Sequence, residues 1–297
     1  SQGNPQLITA FPAPEAIKGY TRFQPDPARL MAEDVALDYI ARTQMPAYDA
    51  GAGWKDEAQR PAFVQKHRLR FMRGYQQRAA QAIQMAVKSG ASRFLFEMAT
   101  GTGKTLTAAA VIKLFLRTGN ARRVLFLVDR LELEDQGNKA FVFLLKNDYQ
   151  STIYKENRGD WRKAEIVVTT VQSLLHGNKY KQFAPTDFDL VISDEAHRSI
   201  GGNARAVFEY FLGYKLGLTA TPKDYIKQFN PAKPTTKDPR EAERRLLLDT
   251  YRTFGCDSGE PTFRYSLLDG VREGFLINPL VVDARTEVST QLLSDEG

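Results

Sequence analysis

Two short stretches of this chain carry residue types whose spacing suits phosphate and metal chemistry. The first, 98–105, reads Met-Ala-Thr-Gly-Thr-Gly-Lys-Thr. Glycine lets backbone N–H groups approach phosphate oxygens, and a helix that starts at the lysine adds partial positive charge. Lys104 can then reach the β- and γ-phosphates of a nucleotide, and the Thr105 hydroxyl can bind Mg²⁺. The residues predicted to hold the phosphates are Thr100, Gly101, Thr102, Gly103, Lys104 and Thr105.

The second stretch is a pair of carboxylates that follows an apolar run at 190–192. At a strand end, Asp194 can bind Mg²⁺ through its water shell, and Glu195 can orient and deprotonate an attacking water. His197 suits contact with the γ-phosphate region or with the threonines of 219–221. The alternatives are a helix-capping acidic pair and an ordinary surface histidine. The predicted catalytic residues are Lys104, Asp194, Glu195 and His197; the predicted coupling residues are Thr219 and Thr221.

Two weaker signals indicate contacts with a base and with a polyanion. The Gln76 amide can pair with N6–H and N7 of adenine, and Arg73 can add a phosphate or stacking contact. The alternative is a polar residue at a helix start. Side chains at or after two predicted strands suit phosphate contacts, unless they are turn and N-cap residues. These residues are Arg130, Thr169, Thr170 and Gln172.

Apolar strands alternate with helices from about residue 60 onward. We predict strands at 94–96, 124–128, 166–169, 190–193 and 216–219, and helices at 75–88, 104–117, 131–146 and 204–211. This alternation predicts an α/β fold with a parallel sheet covered by helices on both faces. Such sheets bind ligands at the carboxyl ends of their strands, and the two stretches fall there.

The chain divides into three parts by pattern. Residues 1–60, with several prolines and one predicted helix at 27–42, are expected to connect rather than to fold as a domain. Residues 61–228 are expected to form the nucleotide-binding domain. In 229–297 we expect no further strand of the sheet, because the pattern changes after Pro222. We predict a mobile loop at 230–243, helices at 241–251 and 263–275, and an isolated strand at 280–283.

Composition narrows the class of protein. The chain has 297 residues, 42% of them hydrophobic and 26% charged, which is a globular balance. One cysteine excludes a disulfide framework and indicates a reducing compartment. Without a leader or an apolar run of membrane-spanning length, we expect a cytoplasmic protein with no membrane partner. The net charge of +6 fits a DNA or RNA partner without choosing between them.

Taken together, the motifs resemble those of superfamily 2 helicases. The matching stretches are 75–76, 99–105, 169–172, 194–197 and 219–222, which are similar to the Q motif and motifs I, Ib, II and III. All belong to the first RecA-like motor domain of that superfamily. Three further stretches resemble the motor (R) subunit of type I restriction-modification enzymes: 125–130, 188–200 and 207–222. The segment 265–285 resembles the connector to that subunit's second motor domain.

The resemblance implies an ATP- and Mg²⁺-dependent translocase on double-stranded DNA. It also implies as partners a second motor domain, a nuclease domain, and methyltransferase and specificity subunits. We find no aspartate followed by E-x-K, so the nuclease domain is expected upstream of this chain. The second motor domain would begin near residue 285 and would supply arginine fingers, so we expect this chain alone to hydrolyse ATP poorly. Two alternatives stay open: another superfamily 2 DNA or RNA helicase or remodeller, and a nucleotide-dependent clamp without catalysis.

Overall fold

The computed structural model describes residues 25–155, 159–199, 201, 204–225 and 248–277. Its centre is a seven-stranded sheet in the order β3-β4-β2-β5-β6-β1-β7, in which all neighbours are parallel. The strands are β1 Arg93–Met98, β2 Val124–Val128, β3 Ser151–Ile153, β4 Ile166–Thr170, β5 Leu190–Asp194, β6 Tyr214–Thr219 and β7 Phe263–Tyr265.

Helices connect these strands and precede them. Before the sheet lie α1 Pro27–Ala32, α2 Tyr39–Gln44, α3 Ala52–Lys55, α4 Arg60–His67 and α5 Gly74–Lys88. Among the strands lie α6 Lys104–Arg117, α7 Leu131–Leu145, α8 Val171–Leu175, α9 Ala196–Ser199, α10 Ala204–Tyr210 and α11 Thr250–Thr253, and α12 Leu267–Arg272 follows β7. Three 3₁₀ stretches, Tyr48–Ala50, Gly159–Arg162 and His176–Gln182, complete the described elements.

The sheet separates two hydrophobic clusters, because successive side chains of a strand point to opposite faces. In β1, Phe94 and Phe96 join one cluster with helices α5, α6 and α7, whereas Leu95 joins the other with α8, α10 and α11. All five residues of β2 are buried. The expectation of a parallel sheet with helices on both faces is therefore confirmed.

The expectation that the sheet ends before Pro222 is wrong. Residues 263–265 form β7, which pairs with β1 from Phe96↔Phe263 to Met98↔Tyr265. The helix predicted at 263–275 is accordingly shorter and begins at Leu267, where Ser266 caps it by accepting a hydrogen bond from the Asp269 N–H at 3.1 Å. Pairing with a buried neighbour decides the structure of so short a segment, and this pairing leaves no periodic trace in the sequence.

The single helix predicted at 27–42 is two helices separated by residues 33–38. The α1 helix ends at Glu33, which has extended backbone angles. In the break, Val35 is buried in the core, and the Leu37 carbonyl accepts a hydrogen bond from the Met72 N–H at 2.6 Å. In a continuous helix, the Leu37 carbonyl would accept a hydrogen bond from an N–H of the same helix. Here the hydrogen bond from the Met72 N–H replaces it. Strand β3 was not predicted at all.

The predicted loop at 230–243 and strand at 280–283 lie outside the described residues. Of the helix predicted at 241–251, only the last residues are described, and they enter α11, which starts at Thr250 behind an Asp249 cap. Within the described ranges, no helix is both long enough and apolar enough to span a bilayer.

A buried lysine makes the stability of this fold depend on pH. Lys215 on β6 is 1% exposed, and its ammonium donates to the Phe211 carbonyl at 2.7 Å. Burial, reinforced by repulsion from Arg93 and partly offset by Glu209, lowers the pKa of Lys215 to about 8. The folded state thus disfavours the charged form. Below about pH 8, Lys215 is charged in both states, and the free-energy cost of burying its charge is constant. Between about pH 8 and the unfolded pKa of 10.5, the stability of the fold rises with pH, because the unfolded chain binds the extra proton.

Replacing Lys215 by methionine should remove this dependence. We expect the wild-type free energy of unfolding, minus that of Lys215→Met, to increase by up to roughly 3 kcal/mol between about pH 8 and about pH 10.5. Urea unfolding at several pH values measures the difference. Lys66→Met, at an exposed position, is the control and should give a flat difference. A flat difference for Lys215→Met would contradict the assignment.

Candidate functional site

The loop between β1 and α6 has the backbone shape that phosphate binding requires. Gly101 and Gly103 have φ values of +82° and +78°, in the left-handed region that favours glycine. Helix α6 begins at Lys104, so its free N–H groups face the loop. Thr100 and Thr105 are exposed beside it, whereas Thr102 is fully buried. The Thr102 hydroxyl donates to the Ala99 carbonyl at 2.6 Å, so this side chain holds the loop rather than facing a ligand.

Two side chains of α5 anchor the loop from behind. The Tyr75 hydroxyl donates to the Thr102 carbonyl at 2.6 Å. The Gln76 amide nitrogen donates to the carbonyls of Thr102 at 3.3 Å and Gly103 at 3.2 Å. Its amide oxygen accepts from the Arg73 N–H at 2.9 Å. Both ends of the buried Gln76 amide are therefore engaged by protein, and adenine recognition by Gln76 stays a prediction.

Opposite the loop, β5 ends at Asp194, and Glu195 follows it directly. Lys104 Nζ lies 3.7 Å from Glu195 Oε1, and both side chains are partly buried. Glu195 has a φ of +49°, an unusual angle for a residue with a side chain, and its N–H donates to Asp194 Oδ1 at 3.1 Å. Burial and the Glu195 charge raise the pKa of Asp194, while Lys104 lowers it. Such crowded negative charge favours a bound cation.

These residues fit Mg²⁺ with a nucleoside triphosphate. The loop offers N–H groups and an ammonium to phosphates, and Asp194, Glu195 and the exposed Thr105 hydroxyl offer the hard oxygen ligands that Mg²⁺ prefers. The structure brings the predicted phosphate, metal and catalytic residues to one edge of the sheet.

His197 connects this edge to the end of β6. His197 Nδ1 lies 2.9 Å from the Thr219 hydroxyl and 3.5 Å from Glu195 Oε2. The same hydroxyl accepts from the Thr221 N–H at 3.1 Å. Burial lowers the pKa of His197, although Glu195 opposes this, so the imidazole is neutral at neutral pH. The contact predicted between His197 and the threonines of 219–221 is present, through Thr219.

The four predicted phosphate contacts have different surroundings. Arg130 is 67% exposed beside Asp129, and Gln172 is exposed at the start of α8. Thr169 and Thr170 are buried, and the Thr170 hydroxyl caps α8 by accepting from the Ser173 N–H at 3.0 Å. Arg130 and Gln172 are thus accessible to a ligand, whereas the two threonine side chains face protein.

Two acidic residues that the sequence did not single out organise this part of the edge. Glu134 on α7 accepts from the Thr170 N–H at 2.7 Å and from the Thr169 hydroxyl at 3.3 Å, and burial raises the pKa of Glu134. Asp129, after β2, pairs with Arg198 of α9 at 2.7 Å. Neither residue forms a recognisable motif with its partner, because each contact joins segments that are far apart in sequence.

The profile of one protein family, described as type III restriction enzyme, res subunit, matches residues 70–224. This range is just over half of the chain and contains both functional stretches. The chain belongs to this family.

Two curated relatives are endonuclease subunits of type I restriction enzymes. The endonuclease subunit of the type I restriction enzyme EcoAI from Escherichia coli is 29% identical over 285 residues, which cover 90% of this chain and 29% of that protein. The EcoKI endonuclease subunit from E. coli K12 is 28% identical over 233 residues, covering 70% of this chain and 18% of the relative. The chain therefore spans less than a third of the length of these relatives.

A solved structure supports the fold. The Sulfolobus solfataricus SWI2/SNF2 ATPase core, solved in complex with double-stranded DNA, superposes with a TM-score of 0.51 over 67% of this chain and 45% of that one, at 15% identity. This similarity confirms the expected RecA-like fold. The curated relatives confirm the resemblance to subunits of type I restriction enzymes.

Gly103 gives a direct test of the loop in this restriction-family domain. A Cβ added at Gly103 would lie 2.8 Å from Gln76 Nε2, whereas one at Gly90 would meet nothing within 4 Å; both glycines have positive φ. We expect Gly90→Ala to cost about 1 kcal/mol of stability from backbone strain alone. Gly103→Ala should cost more and should also weaken ATP binding. Urea unfolding measures the loss of stability, and binding of a fluorescent ATP analogue measures the loss of affinity. Equal stability and equal affinity of the two variants would contradict a loop held by Gln76.

Proposed function

We propose that this chain is the ATP-binding half of an ATP-dependent double-stranded DNA translocase of the type I restriction R-subunit kind. The observation that carries the proposal is the meeting of Lys104 with the carboxylates Asp194 and Glu195 at the loop between β1 and α6. The triphosphate would lie along the loop, with residues 61–228 as the motor domain. A simple clamp does not need the water-activating Glu195, so its presence favours hydrolysis.

Each residue then has a separate role in hydrolysis. The backbone N–H groups of 101–105 and the Lys104 ammonium would bind the phosphates, and Thr105 and Asp194 would hold Mg²⁺, which when bound neutralises phosphate charge. Glu195 would orient the attacking water and accept its proton. Glu195, the proposed proton acceptor, is also 3.5 Å from His197, which contacts the Thr219 hydroxyl. Loss of the γ-phosphate on hydrolysis would therefore be transmitted to Thr219 through the His197 imidazole.

Double-stranded DNA is the proposed track. The net charge of +6 and the exposed Arg130 and Gln172 favour a polyanion at the edge formed by β2 and β4. The relatives named above are endonuclease subunits of type I restriction enzymes, and the Sulfolobus solfataricus ATPase core was solved in complex with double-stranded DNA. We propose as further partners a second motor domain, a nuclease domain, and methyltransferase and specificity subunits.

The first experiment compares ATP hydrolysis by this chain and by a longer protein that joins it to a second motor domain. We expect turnover only in the longer protein and only with double-stranded DNA, because a missing arginine finger lowers the rate by roughly 10³–10⁵-fold. Single-stranded RNA and DNA of equal length are the controls. Equal turnover by the chain alone would contradict the proposal that this chain supplies only half of the ATP site. Stimulation of hydrolysis by RNA would favour another superfamily 2 motor.

The role of Glu195 is tested by Glu195→Gln in the same longer protein. The amide keeps the size of the side chain but cannot accept the proton, so we expect hydrolysis to fall by at least about 10²-fold while ATP binding is kept. Lys104→Ala is the matched comparison and should lose ATP binding itself. Near-normal turnover of Glu195→Gln would show that another group activates the water.

A further inference from the structure

The segment 263–277, which contains β7 and α12, lies directly behind the nucleotide loop. Strand β7 pairs with β1 as far as Met98↔Tyr265. The ladder continues one step further, because the Ala99 N–H donates to the Tyr265 carbonyl at 3.0 Å. The first residue of the loop is therefore fixed by the last residue of β7.

A pair of stacked tyrosines carries this contact to the middle of the loop. The rings of Tyr75 and Tyr265 are 3.8 Å apart between centroids and inclined by 12°, and both residues are at most 2% exposed. Because Tyr75 donates to the Thr102 carbonyl, Tyr265 fixes the ring whose hydroxyl anchors the loop. The Tyr265 hydroxyl donates to Glu273 at 3.0 Å, and Glu273 pairs with Arg78 of α5 at 3.0 Å.

The anchored carbonyl determines where the loop's donors point. In a trans peptide, the carbonyl oxygen and the N–H of the next residue lie on opposite sides. A Thr102 carbonyl held towards Tyr75 thus turns the Gly103 N–H away from Tyr75. The stacked tyrosines act on the orientation of a phosphate donor.

The end of the same segment contacts the loop at Gly101. A Cβ added at Gly101 would lie 3.3 Å from Leu276 Cδ2, so this leucine is in close contact with the loop. The Arg73 guanidinium lies 4.5 Å from the centroid of the Phe275 ring and donates to the Tyr75 hydroxyl at 3.2 Å. The loop is therefore held from behind by Tyr265 and touched at Gly101 by Leu276.

We propose that Tyr75 and Tyr265 are positioning residues for nucleotide binding, and that the segment 263–277 holds the loop in its phosphate-binding shape. The proposal rests on the proposed binding of ATP at this loop. By linkage, a segment that favours the bound shape of the loop is itself stabilised when nucleotide binds. The binding site is thereby coupled to the chain that follows α12.

The test measures the Kd of a fluorescent ATP analogue with Mg²⁺ and backbone amide exchange in the whole chain. Tyr265→Ala removes the stack and should weaken binding about tenfold and speed exchange at 99–105. Tyr75→Phe keeps the stack but loses the bond to Thr102, and should weaken binding roughly three- to tenfold. Tyr265→Phe keeps the stack and should bind within about twofold of wild type. In wild type, nucleotide should slow exchange at 263–277.

Tyr214→Ala is the matched control for general destabilisation. Tyr214 stacks on Phe94 with 6.1 Å between ring centroids, at the amino-terminal end of β6 and away from the loop. This variant should lower the urea midpoint yet leave Kd within about twofold. Unchanged binding by Tyr265→Ala, or an equal loss of binding in Tyr214→Ala, overturns the proposal.

Lys104→Ala separates this proposal from the proposed function on which it rests. If wild type binds the analogue and Lys104→Ala does not, the loop is the nucleotide site, and the tyrosine variants then decide the role of 263–277. If wild type fails to bind, or if Lys104→Ala binds equally well, the proposed function fails and the positioning proposal falls with it.

Discussion

The common direction of all seven strands places every functional segment at one edge of the sheet. Strands β5, β6 and β1 are neighbours, and their registers align Asp194 with Leu218 and Glu97 with Thr219. The carboxylates, the Thr219 hydroxyl and the glycine loop must therefore emerge side by side, although they are far apart in sequence. An antiparallel neighbour would carry its following loop to the opposite edge, and the site could not form.

Repulsion between carboxylates at this edge of the sheet opposes the stability of the fold. Asp194 and Glu195 are adjacent, partly buried carboxylates, and the raised pKa of Asp194 reflects that cost. Glu195 adds a left-handed backbone angle, which is unfavourable for a residue with a Cβ. Lys104 offsets part of the charge from across the loop. The arrangement suits a cation and a polyphosphate that bind together. This favours the interpretation of Asp194 and Glu195 as a binding site over the alternative of helix-capping carboxylates.

Sequence patterns predicted the segments whose structure is local. Helix α6 and strand β2 have the predicted bounds, because a glycine loop before the helix, Gly119 after it and an uninterrupted apolar run each carry their own signal. What the sequence could not show depends on distant partners. Strand β7 has only three residues and depends on its pairing with β1. The Gln76 amide faces the loop because it donates to a loop carbonyl. The Thr170 N–H donates to Glu134, which lies on α7.

The position of β5 brings the two parts of the proposed site together. It lies between β2, whose following residues include Asp129 and the exposed Arg130, and β6, which ends at Thr219. The Asp129–Arg198 ion pair, at 2.7 Å, joins the end of β2 to α9, the helix that begins directly after Glu195. The order of the strands thus places Arg130, the proposed contact for a polyanion, close to the carboxylates of the proposed nucleotide site.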